Sequence, residues 1–476
     1  MKYPAYPQYK DSGFEWLGAL PEKWMVKKGR YVGQLLGSVT PSETDFIDNE
    51  ANADEGLPYA KVDDLNQIDG TLVLNRTKAR VIGHNPQKGN YLVFPKRGAA
   101  IFTNKVAVVQ QPMLFDTNLM GWKIYPSFNL KFVAFCLISR RLDDLADVST
   151  VPQINNKHIN PAEFPCPPLD EQTAIADFLD RETGRIDTLV AKKRKLVELL
   201  KEKRSALISR TVTRGLPANA AREFGLVTGN AAVHEAPGAY GRCRGEKFFA
   251  PTEGAGTPEK FKDSGVEWLG EIPVDWVTPP LYSRYSIELG KMLNESKITG
   301  KHLLPYLRNI DVQWDSINFI DLPEMDIPEP EYSRYTLKEG DLLVCEGGEV
   351  GRSAIVGKLE SKIGFQKALH RMRAINSLME CPRYMYYLMY WANKTGVFSS
   401  GGISTIAHLT GEQLRKYRFP KPPFQEQTVI AAYLDRETAK IDRLVEKVET
   451  AINRLQEYRS ALITAAVTGK IDVREA

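Results

Sequence analysis

The sequence predicts an α+β protein. Two mixed α/β domains, related by a pseudo-two-fold repeat, are joined by two long antiparallel helices that form a coiled coil. Three observations lead there: a long internal repeat, a proline-bounded helical segment closing each copy, and short apolar runs between turn residues ahead of each helix.

The repeat comes first. Lys10-Asp-Ser-Gly-Phe-Glu-Trp-Leu-Gly-Ala-Leu-Pro-Glu-Lys-Trp24 returns at Lys262 to Trp276 with 10 of 15 positions identical. Glu171 to Asp187 returns at Glu426 to Asp442 with 12 of 17 identical, and Arg204-Ser-Ala-Leu-Ile208 returns intact at Arg459 to Ile463. The offset drifts only from 252 to 255, so the chain is two copies of one long unit. Solenoid repeats are far shorter, about 20–50 residues.

Each copy opens with a variable part, 1–167 and 259–422, rich in Gly, Pro and aromatic residues. Tyr91-Leu-Val-Phe94, Val106-Ala-Val-Val109 and Asp341-Leu-Leu-Val344 read as strands bounded by turn residues. Leu130 to Leu145 and Tyr384 to Ala392 carry apolar residues at three- and four-residue spacings and read as helices.

Pro165-Cys-Pro-Pro168 and Pro420-Lys-Pro-Pro423 stop whatever precedes them, because proline cannot continue a helix or a central strand. The segments 168–215 and 423–476 follow, each reading as one helix of about 60 Å at 1.5 Å per residue. Ile441, Leu444, Val448, Ala451, Leu455, Tyr458 and Leu462 alternate spacings of three and four, a heptad seam. The first copy aligns Ile186, Leu189, Lys193, Leu196, Leu200, Lys203 and Leu207. The stems of its two lysines can lie along the apolar groove with the charges at its edge. Such a helix packs either on its own domain or on its counterpart, and matching seams in one chain favour the second. The variable domains are then expected at opposite ends of a rod. Residues 216–258, loosest at Gly238 to Gly245, read as a linker.

Composition sets bounds. A chain of 476 residues, 43% hydrophobic and 26% charged, has an ordinary globular balance. A net charge of +4 excludes a polycationic tail and permits local basic patches. Cys136, Cys166, Cys243, Cys345 and Cys381 form no C-x-x-C pair, so buried free thiols are expected rather than disulfides or zinc. Met1-Lys-Tyr-Pro-Ala-Tyr-Pro has no apolar core and no run of about 20 apolar residues follows, so a cytoplasmic protein is expected.

Catalytic signatures are weak. Lys421-Pro-Pro-Phe424 resembles the Asn-Pro-Pro-Phe element of amino-methyltransferases, but lysine cannot accept a hydrogen bond from a target amino group. Gly347-Gly-Glu-Val-Gly-Arg-Ser353 lacks the Lys-Ser/Thr pair of a phosphate loop and reads as a turn between strands. Glu360-Ser-Lys362 has half of a nuclease triad without its Pro-Asp partner, and the six histidines show no ligand spacing. The chain is expected not to be an enzyme, and no metal or cofactor is expected in it.

The candidate binding residues are basic and small polar side chains in loops. They are Lys96, Arg97, Thr103, Asn104 and Lys105 in the first copy, and Arg352, Ser353, Gln366, Lys367, His370 and Arg371 in the second. Arg and Lys neutralise phosphates; Arg, Asn and Gln also make bidentate contacts with base edges. A common frame with divergent loops suits two readers of different targets.

The repeated motifs resemble those of the specificity subunits of type I restriction–modification systems. They are Lys-Asp-Ser-Gly-x-Glu-Trp-Leu-Gly-x-x-Pro-x-x-Trp opening each copy, Pro-x-Pro-Pro-x-x-Glu-Gln-Thr-x-Ile-Ala-x-x-Leu-Asp opening each helix, and the endings at Val212-Thr213 and Val467-Thr468-Gly469. The resemblance spans the whole chain. It implies two target-recognition domains, Ser38 to Phe164 and Ile287 to Phe419, each reading half of a split DNA sequence, with half-site centres about 10 bp apart. It implies helices that set the gap and dock two modification (methyltransferase) subunits, which hold S-adenosylmethionine and methylate adenine, and it implies translocating restriction subunits. The residues 216–258 are longer than the join this resemblance leads one to expect. A rival reading is a coiled-coil scaffold joining two protein-binding modules without DNA recognition.

Overall fold

The computed structural model describes the chain except residues 1–2, 48–55, 68–71, 88, 148–150, 226–259, 294–299, 399–407 and 475–476. The chain forms two compact units, neither made of one continuous segment of a single repeat. Unit 1 is Met1–Val197 with Lys447–Ala476, and unit 2 is Glu198–Glu446.

In unit 1 the strands Gly33–Leu36 (β1), Leu57–Ala60 (β2), Tyr91–Pro95 (β3), Ala107–Val109 (β4), Leu114–Phe115 (β5) and Leu119–Ile124 (β6) carry the frame. An antiparallel sheet runs β1-β6-β3-β4, and β2 pairs parallel with β5 in a second sheet. Strand alternation gives β3 two buried faces. Leu92 and Phe94 pack with Phe132 and Phe135 of the helix Leu130–Arg140 (α1), while Tyr91 and Val93 pack with Phe115 and Leu119. The predicted helix to Leu145 is broken at Arg141, whose φ is 66°. Asn104 causes the break locally: its Oδ1 accepts the Leu142 N–H at 3.0 Å and its Nδ2 donates to the Ile138 carbonyl at 2.8 Å.

Unit 2 repeats this plan. Its strands are Tyr285–Leu289 (β7), Leu303–Leu307 (β8), Leu342–Cys345 (β9), Ser353–Ile355 (β10), Gly364–Phe365 (β11) and Leu369–Ala374 (β12). The antiparallel order is β7-β12-β9-β10, and β8 pairs parallel with β11. The pairing of these six strands is the same in both units, although the sequences between the end motifs differ. Leu342 and Val344 face the helix Pro382–Lys394, while Leu343 and Cys345 face Phe365.

The opening motif of each copy folds into a short hairpin, with Lys10 opposite Leu20 and Lys262 opposite Ile272. Each hairpin ends in a buried tryptophan, Trp24 and Trp276, both 1% exposed. Cys136, Cys166, Cys345 and Cys381 are buried free thiols, and Cys243 lies outside the described residues.

The long helices are Leu169–Arg214 and Phe424–Val467, each starting directly after its proline cluster. Asp170 and Glu171 stand in the first turn of the former, where carboxylates offset the helix dipole. Gly215 and Gly469 lie just past the ends with φ of 81° and 67°, the left-handed geometry that terminates a helix without cost only at glycine. Each unit holds one half of each helix. Ile175, Leu179, Ile186 and Val190 share the unit 1 core with Ile452, Ile463 and Val467. Ile208 and Val212 share the unit 2 core with Val429, Ile430 and Leu434. Within unit 1 Asp187 pairs with Arg459, and within unit 2 Arg204 pairs with Asp442.

The seam differs in phase from the predicted one. Leu189 and Leu196 are each 43% exposed, Leu444 50% and Tyr458 49%; Lys203 is exposed as well. Val190, Val197 and Ile452 are buried in their place, with Val445, Arg204 and Arg459 half-buried at the corresponding turns. Ile186, Ile441 and Leu462 are buried, and Leu200, Leu207, Val448 and Leu455 are half-buried. These anchors recur every seven residues, and a second apolar position can follow each by three or by four. Apolar residues occupy both choices at 189/190 and 196/197, so spacing alone leaves the phase open. Residues 216–225 of the predicted linker include a short helix, Ala218–Glu223; the remainder, with Gly238 to Gly245, lies outside the described residues.

Candidate nucleic-acid interface

In unit 1 the chain leaving β3 is held between two other segments. The Lys96 N–H donates to the Asn118 carbonyl at 2.9 Å, and the Lys96 carbonyl accepts the Ile154 N–H at 2.9 Å. A 3-10 turn over Gly98–Thr103 follows and ends at Asn104, whose φ is 51°. Lys105 then hydrogen-bonds to Asn66, which brings in the turn after β2. That turn is fixed by Asp64, 1% exposed, which accepts the Lys61 N–H at 2.8 Å and the Lys78 N–H at 3.1 Å.

Unit 2 repeats the two backbone bonds at the centre of this cluster. The Glu346 N–H donates to the Ala368 carbonyl at 3.0 Å, and the Glu346 carbonyl accepts the Leu409 N–H at 2.8 Å. Asp311, 2% exposed, accepts the Arg308 N–H at 2.7 Å and holds the Arg308 guanidinium. Asn309 ties this turn to the loop after β9, donating to the Gly347 carbonyl at 3.1 Å. Each unit therefore gathers four segments at one end of its sheet: the turn after the parallel strand, the loop after the third strand, the turn before the last strand, and the stretch before the next short helix.

The predicted residues divide by burial. Arg97, Thr103 and Lys367 are exposed; Lys96, Asn104, Lys105, Arg352 and Gln366 are half-buried. Burial, with Arg97 beside it, lowers the pKa of the Lys96 ammonium, and Asp116 partly opposes this. The Thr103 hydroxyl donates back to Ala100, and Asn104 is occupied at the α1 break. Arg352 donates to the Asn309 carbonyl at 2.9 Å and to its side chain at 2.7 Å, so it braces the cluster.

Three predictions are corrected. Ser353 and His370 are fully buried, and Arg371 is 2% exposed, so none presents its side chain to a duplex. His370 Nε2 lies 2.7 Å from the Leu409 carbonyl, and burial lowers its pKa, which keeps the ring a neutral donor. Arg371 donates to the carbonyls of Ser333, Arg334 and Thr336 at 2.9–3.1 Å and pins that segment. Both sit on β12, where alternation puts successive side chains on opposite buried faces.

Sequence reasoning missed Lys61 and Arg308. A signal was present: Leu57-Pro-Tyr-Ala-Lys-Val-Asp-Asp64 returns as Leu304-Pro-Tyr-Leu-Arg-Asn-Ile-Asp311, with basic and acidic residues at matching places. It also missed Phe102, 60% exposed in the turn that ends at Asn104. In unit 2 it missed a patch where Lys362 lies 4.7 Å from the Tyr332 ring, and Lys291 and Arg334 flank Tyr335. Among the described residues no group of three or more His, Cys, Asp or Glu is placed to hold a metal ion, and no helix is long and apolar enough to cross a membrane.

The family model for the type I restriction modification DNA specificity domain matches residues 21–199 and again 286–454, most of the chain and both repeats. The chain belongs to this family. Two relatives of this specificity family align along most of their length. The MjaVIII specificity subunit of Methanocaldococcus jannaschii is 22% identical, covering 98% of this chain and 97% of its own. The EcoBI specificity subunit of Escherichia coli is 20% identical over 89% of this chain and 85% of its own. A solved chain from work on assembly and conformational transition of the type I R-M system shares the fold, with a TM-score of 0.60 and 15% identity over 94% of this chain and 98% of that one. Specificity domains thus account for both repeats, and the helical halves that complete each unit extend beyond the matched segments.

Proposed function

We propose that this chain is the cytoplasmic DNA-reading subunit of a type I restriction–modification complex, recognising a bipartite target. The observation that carries this reading is the duplicated four-segment cluster in a chain of the DNA specificity family. One backbone frame is built twice and dressed with different side chains, which suits two half-sites of different sequence. Exposed Arg97, Thr103, Lys61 and Phe102 in unit 1, and exposed Lys367 with half-buried Gln366 and Arg308 in unit 2, supply phosphate and base-edge chemistry. Adenine methylation and cleavage fall to the modification and restriction subunits, with S-adenosylmethionine held by the former. In this reading the chain itself binds and orients DNA and carries out no bond-making step.

The test is the methylome of cells expressing this chain with its methyltransferase subunit, against cells lacking this chain. A new split motif, with modified adenines in both halves, is the expected result. A stable protein complex that creates no motif and shows no salt-dependent DNA affinity would instead support the scaffold reading. The family membership disfavours that alternative.

A further inference from the structure

Matched hydrogen bonds align residues that sequence comparison does not. The backbone pairs Lys96–Asn118 and Lys96–Ile154 in unit 1 correspond to Glu346–Ala368 and Glu346–Leu409 in unit 2. Lys96 and Glu346 are each the first residue after the third strand of their sheet, at the centre of the cluster. The two positions are the same in the frame and opposite in charge.

Their neighbours are committed elsewhere. In unit 2, Arg308 is held by Asp311, Arg352 by Asn309, and Glu349 by Trp314 and Lys394. In unit 1, Lys105 is held by Asn66, and Asp116 accepts from the Asn118 N–H at 2.7 Å. Among the described residues, the Lys96 ammonium donates no hydrogen bond and the Glu346 carboxylate accepts none. A half-buried charge without a hydrogen-bond partner is costly to a fold. Two of them at one frame position, fixed by two backbone bonds each, are poised for a partner outside the chain.

We propose that this position reads a base in each half-site, with donor chemistry in unit 1 and acceptor chemistry in unit 2. This inference rests on the DNA-recognition reading above. Lys96 donates to the O6 and N7 acceptors of a guanine in the major groove. Glu346 accepts from the N4 amino group of a cytosine, which no other base edge matches as well for a carboxylate. Exposed Lys61 serves the sequence-independent backbone instead.

The experiment uses the full chain assembled with its methyltransferase subunits and the duplex bearing the wild-type motif. Competitor duplexes carry single base-pair changes in one half or the other. For Lys96→Met, the penalty for replacing one guanine in one half falls by about tenfold, and penalties in the other half stay as in wild type. For Glu346→Gln, discrimination is lost at one cytosine in the opposite half and adenine is accepted there, because glutamine pairs with the adenine edge. Both variants keep the shape of the native side chain, and unchanged penalties in the untouched half report an intact complex. Unaltered mismatch profiles in both halves for both variants would overturn the assignment while leaving DNA recognition standing. A loss of discrimination in both halves at once would overturn it too, since it would mark a bracing role. A wild-type complex that discriminates at no position would instead sink the DNA-recognition reading itself.

Discussion

Arg459 donates from Nε to the Asp187 carboxylate at 2.9 Å, and Arg204 makes the reciprocal contact with Asp442, also at 2.9 Å. Asp187 corresponds to Asp442 in the repeat, and Arg204 to Arg459. Each pair thus joins the first half of one long helix to the second half of the other, once in each unit. Partly exposed pairs of this kind contribute about 0.2–1 kcal/mol. Asp187→Arg should destabilise unit 1 by about 1 kcal/mol, and adding Arg459→Asp should recover most of that. A double-mutant cycle in urea at low and high salt checks it; a coupling indistinguishable from zero at low salt would remove the pair from the account.

The corrected seam phase makes a sharper contrast. Val190 is 6% exposed and Leu189, its neighbour, 43%. Val190→Ala should cost about 1–3 kcal/mol through lost burial and a residual cavity, and Leu189→Ala less than about 0.5 kcal/mol. A larger loss for Leu189→Ala than for Val190→Ala in chemical denaturation would favour the phase read from the sequence.

Gln172 and Gln427 are equivalent buried clamps. The Gln172 amide donates to the Pro167 carbonyl at 2.9 Å and accepts the Asn129 N–H at 2.8 Å; Gln427 does the same to Pro422 at 2.9 Å and from Cys381 at 2.9 Å. Each locks a long helix to the start of a domain helix. Gln427→Ala strands buried backbone groups and should cost about 2–3 kcal/mol in unit 2, measured as a lowered melting midpoint.

Glu426 gives a pH dependence. Burial pushes its carboxyl up to about 7, with Asp275 adding to the rise and the Trp276 indole N–H opposing it. The folded chain then holds a proton that the unfolded chain has lost, so this group's contribution to stability falls as pH rises from about 4.5 to about 7 and stays low above that. Glu426→Gln keeps an acceptor for the indole and should flatten that slope, adding at most about 3 kcal/mol at pH 8. Melting curves of both proteins across pH 5–8 that run parallel would show that the carboxyl does not titrate in this window.

The parts that were legible in the sequence were those carrying long periodicity or identity. The proline-bounded helices and the hairpin motifs ending at Trp24 and Trp276 are of this kind. The matched strand order of the two variable domains was not, because it lives in backbone pairing that different side chains satisfy equally well. Gly121 and Arg371 stand at equivalent places on their last strands, and the one fits where the other reaches three carbonyls. A local window cannot show that a basic residue on a strand is spent on carbonyls about 35 positions away, so His370 and Arg371 read as surface. The Leu-Pro-Tyr repeat at 57–59 and 304–306 was the one local trace of the shared cluster.

The split make-up of unit 1 has a consequence for how the polypeptide comes off the ribosome. Unit 2 has all its residues once Glu446 has been synthesised, but unit 1 is still waiting for Ile463, Val467, Ile471 and Val473. Those side chains cover a core that includes Trp24 and Phe178, made much earlier. The nascent first domain therefore carries an open apolar face throughout translation of the second, in the interval when exposed surface invites misassembly. Its closure waits for the second half of the second long helix, and a ribosome that stalls there leaves one finished unit and one unfinished.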